Sequence, residues 1–173
     1  DPEARMCFIG PCAAKKLEAS RRTVRSDVDF VLTFEELAGI IEAKDLDLAS
    51  LEVDPAEQDL IHASAAGRGF AQSGGVAKAV ADKIKEWRPD MEVKIASAQG
   101  LADCKKLLML AKAGKYNGYL LEGMGCPGGC VAGAGTITPV KESATNVENF
   151  KNKAAASSST QSPYLNRLKE VEE

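Results

Sequence analysis

Four short apolar runs, separated by stretches with helical spacing, constrain this sequence more than any other feature. The runs are Met6-Cys-Phe-Ile9, Phe30-Val-Leu-Thr33, the alternating Val93 and Ile95, and Tyr119-Leu-Leu121. Each is too short for a buried helix and the right length for a strand. Gly10-Pro11 closes the first, and Ala13–Ala19, all good helix formers, follows it. After the second, Thr33 and Glu36 have capping-box spacing, with Leu37, Ile40 and Ile41 as the expected buried face of a helix. Val76, Val80, Ile84 and Trp87 fall on one stripe that Arg88-Pro89 stops, and Leu101, Cys104, Leu107 and Leu108 form another. Strands alternating with helices predict an α/β fold, a mainly parallel four-stranded sheet flanked by helices. Gly67–Gly75 reads as a glycine-rich loop, residues 45–66 as irregular with one helical turn, and residues 144–156 as helical. Ser157–Ser162 reads as a polar linker before a short helix after Pro163, which divides the chain at 156/157.

The 173 residues suffice for one domain with a core, and 45% are hydrophobic. The net charge of −3 comes from 22 basic and 25 acidic residues that are well mixed, so no basic stripe recommends nucleic acid. No apolar run approaches the ~20 residues of a membrane span, and the first is far too short for a signal peptide. Five cysteines are an odd and sparse set for a disulfide scaffold, which points to a reducing cytoplasm. A strand-like run by residue 6 without an initiating methionine reads as a piece of a longer polypeptide.

Chemistry is concentrated in Leu121-Glu-Gly-Met-Gly-Cys-Pro-Gly-Gly-Cys-Val-Ala-Gly-Ala-Gly135. Cys126 and Cys130 follow the fourth strand and Cys12 follows the first, so parallel strands would deliver all three thiols to one sheet edge. Three converging thiolates suit a soft metal, iron–sulfur or zinc. Zinc would ask for a fourth Cys or His, and the only histidine, His62, lies in the irregular segment as an ordinary imidazole. Cys7, inside a strand, and Cys104, on an apolar stripe, read as core residues. The glycine loop at 67–75 lacks the lysine of a phosphate loop and is weak as a nucleotide site.

Pro11-Cys12-Ala-Ala-Lys15-Lys-Leu-Glu18 resembles the P-C-x-x-K-x-x-E motif of FeFe-hydrogenases. Glu122-Gly-Met124-Gly-Cys126-Pro-Gly-Gly129-Cys130-Val-Ala-Gly133 resembles their E-x-M-x-C-x-x-G-C-x-x-G motif, and Phe70-Ala-Gln-Ser-Gly-Gly75-Val is similar to a third, F-G-x-x-G-G-V. The likeness runs through nearly the whole chain in the family's order. It implies that residues 1–156 are the carboxy-terminal lobe of a two-lobed H-cluster domain, reversibly reducing protons to H2 in the full-length protein. It implies that Cys12, Cys126 and Cys130 ligate a 4Fe–4S cubane, with Cys130 bridging to a two-iron subcluster. Lys15 would face a cyanide of that subcluster, Glu18 would orient Lys15, Met124 would pack its thioether against the two-iron unit, and Phe70 would form apolar wall. The implied partners are the missing amino-terminal lobe, a ferredoxin or other electron carrier, and H2 and protons.

Two departures qualify the resemblance. The T-S-C-C-P motif that supplies the family's fourth ligand is absent, which implies that the chain alone holds no intact H-cluster and has no turnover. Gly10 stands where catalytically dominant members carry methionine, which points to a divergent or sensory-type member. The competing expectations are a non-catalytic iron–sulfur assembly or sensor protein, and a zinc-bound or metal-free interaction domain.

Overall fold

In the computed structural model, residues 3–21, 23, 27–52, 54 and 62–165 are described. Their order is β1 (Cys7–Ile9), α1 (Ala14–Ser20), β2 (Phe30–Leu32), α2 (Phe34–Ala43), α3 (Ala65–Arg68), α4 (Gly75–Trp87), β3 (Lys94–Gln99), α5 (Leu101–Lys112), β4 (Tyr119–Met124) and α6 (Val140–Asn152), with 3-10 turns at Gly69–Ala71, Cys130–Ala132 and Ser159–Gln161. The α/β class and the parallel pairing hold. Among the described residues, however, the strands form two two-stranded sheets, β1–β2 and β3–β4, not one sheet of four. Cys7 pairs with Phe30 in the first, and Lys94 through Gln99 pair with Tyr119 through Met124 in the second. The carboxyl ends of the two sheets are joined by the loop after β4, not by strand hydrogen bonds.

Capping-box spacing at Thr33 translates into geometry. Thr33 Oγ1 accepts the Glu36 N–H at 3.2 Å, and Glu36 Oε2 accepts the Thr33 N–H at 2.9 Å. The same carboxylate takes the Lys16 ammonium at 2.8 Å, which ties α1 to the start of α2.

Several expected elements move. Gly67–Gly75 is not a plain loop: Ser64 Oγ accepts the Gly67 N–H at 3.1 Å and caps α3, so a local hydrogen bond overrides glycine's poor helix propensity. The fourth strand runs on through Glu122, Gly123 and Met124, because pairing with β3 supplies partners that sequence spacing does not show. The last long helix begins at Val140, behind Pro139, four residues earlier than expected. Part of the 45–66 segment, and most of the helix after Pro163, lie outside the described residues.

The core is thin. Among the described residues, Ala77, Leu107 and Val131 are the buried hydrophobic side chains. Ile40, Val80, Trp87, Leu101 and Leu108, expected on buried faces, are exposed, as is Cys7. Periodicity identified apolar helix faces, but no element among the described residues covers them.

Candidate metal centre

The first arm of the site grows out of β1. Gly10-Pro11 turns the chain, and the Cys12 carbonyl accepts the Lys15 N–H at 3.3 Å as α1 begins. Three residues apart on one turn, Cys12 and Lys15 share a face. Lys15 Nζ pairs with Glu18 Oε2 at 2.7 Å, the pairing the sequence spacing anticipates. A half-exposed pair of this kind contributes little stability, so its consequence is the orientation of the ammonium.

The second arm grows out of β4. Met124 ends the strand, and its carbonyl accepts the Gly100 N–H at 2.8 Å. Between Cys126 and Cys130 the backbone is held at Gly128 from two sides. Its N–H donates to Gln99 Oε1 at 2.7 Å, and its carbonyl accepts the Ser73 N–H at 3.1 Å. Gly129 has φ 95°, and a Cβ there would lie 2.6 Å from Ser73 N and 2.8 Å from Ala71 O. Only glycine fits that conformation against that neighbouring backbone.

Further along the same loop, the two arms meet. A Cβ on Gly133 would collide with the Pro11 backbone, and the Gly135 N–H donates to the Pro11 carbonyl at 2.9 Å. Glu35 N–H in turn donates to the Gly135 carbonyl at 3.3 Å. Cys12 and the Cys126/Cys130 loop are thereby brought together, although they lie on different sheets.

Their convergence shows in the electrostatics. The Cys130 thiol is pushed above its ordinary pKa, first because packed atoms withhold water from its thiolate, then by the charges of Cys12 and Cys126. Lys15 acts in the opposite direction. Although Cys130 is an exposed residue overall, its sulfur therefore senses both other thiols and the ammonium. No three His, Cys, Asp or Glu side chains among the described residues converge on a single-ion site. All five cysteines are free.

The remaining expected residues are placed unevenly. Met124 is half-buried at the base of the Cys126 loop. Phe70 is exposed and lines a cavity of about 450 Å³ with Ser64, Lys83, Glu86 and Ser158; the backbone just after it is what touches Gly129. Cys104 lies beneath β4, its Sγ 3.5 Å from the Met124 carbonyl. His62 is exposed, its ring 5.6 Å from that of Tyr164. Gly10 is buried, and a Cβ on it would lie 2.7 Å from the Phe8 ring, so that ring fills the space a side chain at position 10 would need. Sequence reasoning missed Gln99, Ser73 and Glu122 as supports of the loop. The one available signal was a glutamate inside the apolar run of β4, where a carboxylate needs a partner.

Comparison with known proteins gives this arrangement a context. Residues 1–134 match the family model described as "Iron only hydrogenase large subunit, C-terminal domain". The periplasmic Fe hydrogenase large subunit of Nitratidesulfovibrio vulgaris is 33% identical over 158 residues, covering 73% of this chain and 37% of that protein. The cytosolic iron-sulfur assembly component 3 of Bos taurus is 26% identical over 201 aligned positions, covering 94% of this chain and 42% of that protein. A solved structure of an apo FeFe-hydrogenase from Chlamydomonas reinhardtii matches with a TM-score of 0.64 at 20% identity, over 96% of this chain and 58% of that one. The chain thus spans well under half the length of these curated relatives. With the family model covering most of its length, the chain belongs to the iron-only hydrogenase large subunit family, as a hydrogenase-like C-terminal domain.

Proposed function

We propose that this chain is the cluster-bearing carboxy-terminal lobe of a hydrogenase, and that Cys12, Cys126 and Cys130 are three ligands of a 4Fe–4S cubane in the full-length protein. The observation that carries the reading is the meeting of the two cysteine-bearing arms, where the Gly135 N–H donates to the Pro11 carbonyl and Gly133 packs on the Pro11 backbone. When bound, the H-cluster supplies the redox chemistry of 2H⁺ + 2e⁻ ⇌ H2. The residues of this chain hold it, with thiolates on two arms and backbone brought close at Gly129. Lys15, oriented by Glu18, presents a fixed positive charge to an anionic group. Met124 and Phe70 are proposed as contacts of the two-iron subcluster, and Cys130 as the bridge to it. The fourth cubane ligand comes from the amino-terminal lobe, which also covers the exposed apolar faces. A ferredoxin or similar carrier delivers electrons, and the cytoplasm is the proposed compartment. No helix among the described residues is long and apolar enough to cross a membrane. The chain by itself is proposed to hold no intact H-cluster and to lack turnover.

A second reading, a non-catalytic iron–sulfur assembly or sensor protein, is favoured by one observation. A relative named as an iron-sulfur assembly component aligns over 94% of the chain. Hydrogen evolution by the full-length protein and its Lys15→Ala variant separates the two. The catalytic reading expects turnover in the wild type, a loss on the order of a hundredfold or more in the variant, and an unchanged cubane EPR signal. A cubane signal without turnover in the wild type would establish the second reading.

A further inference from the structure

Glu122 is a carboxylate in the middle of a parallel strand pair, opposite Ser97, and only 7% exposed. A buried charge is costly unless compensated. Here two main-chain N–H groups compensate it: Oε2 accepts from Gly74 at 2.6 Å and Oε1 from Ala77 at 3.0 Å. Gly74 is the N-cap of α4 and has no side chain to offer, so the cap comes from a strand more than 40 residues away in sequence. The carboxylate also faces the positive end of that helix.

Its position connects this cap to the thiols. Glu122 lies four residues before Cys126 on the strand that leads into the thiol loop. The Gly74 it grips follows Ser73, whose N–H holds the Gly128 carbonyl at 3.1 Å, and Gly129 rests on Ala71 and Ser73. Both the approach to Cys126 and the surface that seats the Cys126–Cys130 loop therefore run through one carboxylate.

We infer that Glu122 is a positioning residue, whose carboxylate locks the Gln72–Gly74 segment so that Cys126 and Cys130 are presented at a fixed spacing. The inference rests on the reading of these cysteines as cluster ligands. Its test uses the full-length protein carrying Glu122→Gln, with Glu122→Asp as a second variant that retains the charge. In the metal-free protein, Gly74 and Ala77 amides should exchange roughly 10- to 100-fold faster in Glu122→Gln, the loss of charge-assisted hydrogen bonds. Cys126 and Cys130 should alkylate severalfold faster while Cys7 keeps its rate. In the loaded protein, the EPR line shape of the reduced cluster should change, and Glu122→Asp should fall between wild type and Glu122→Gln. Fast amides with unchanged alkylation and EPR would reduce Glu122 to a helix cap and overturn the inference, as would unchanged amides. If circular dichroism shows Glu122→Gln unfolded, Glu122→Asp decides by the same readings. A wild type without any iron–sulfur signal would instead overturn the ligand reading, leaving exchange and alkylation to judge Glu122.

Discussion

The two parallel strand pairs carry the same kind of cargo on very different foundations. β1–β2 has three residues per strand, all of β1 is exposed, and no hydrophobic side chain of either strand is buried. β3–β4 has six residues per strand and holds the buried Glu122 at its centre, and Leu107 on the adjoining α5 is buried too. Yet Cys12 and Lys15 stand on the first pair, and Cys126 and Cys130 on the second. The weaker pair is positioned from outside, by Gly133 and Gly135 pressing on Pro11 and Thr33. The placement of Cys12 relative to Cys126 and Cys130 is thus set less by the strands than by the loop that spans them.

The sharpest way to break that comparison is Gly133→Ala. Its backbone, at φ −63°, suits any residue, so the added methyl is a steric probe alone, directed at the Pro11 backbone. We expect a destabilisation of about 1–3 kcal/mol, with the first pair affected more than the second, read by amide exchange at Ile9 and Leu32 against Ala98 and Gly123. Equal loss in both pairs would show that they fold as one unit. Thr33→Ala comes next. It removes the capping hydroxyl of α2 and should cost about 1 kcal/mol, measured by denaturant unfolding, without changing exchange in β3–β4.

A smaller effect concerns pH. The Glu36 carboxyl is held below its ordinary value of 4.5, first by the Lys16 ammonium, then by the Thr33 N–H. A lowered folded-state pKa means that this stabilisation is complete above the ordinary value and is lost as pH falls through the folded one. Glu36→Gln should therefore flatten the acid limb of stability below about pH 4.5, leaving neutral-pH behaviour of β3–β4 untouched. An acid limb identical to wild type would remove Glu36 from the account.

Sequence spacing made the elements and their short-range pairs legible because both depend on local signals. The Thr33/Glu36 capping box and the Lys15/Glu18 pair are contacts between residues three apart, and both form as the spacing requires. Parallel strand order on one sheet edge was the expected route by which Cys12 meets Cys126; instead the loop after β4 joins them across two sheets. What spacing could not reveal was long-range support: Gln99 and Ser73 on Gly128, and Glu122 on Gly74 and Ala77, span 25 residues or more. Nor could it show that Ile40, Val80, Leu101 and Leu108 would be left uncovered, since amphipathicity marks a face without naming what lies against it.

The central claim is that three thiols on two separate sheets serve one cluster. Mössbauer spectroscopy of the iron-57-labelled full-length protein and its Cys12→Ser, Cys126→Ser and Cys130→Ser variants tests it most directly. The account predicts a 4Fe–4S signal in the wild type that each substitution alone diminishes or abolishes. A signal indifferent to Cys12→Ser, or zinc bound in place of iron in the wild type, would contradict it.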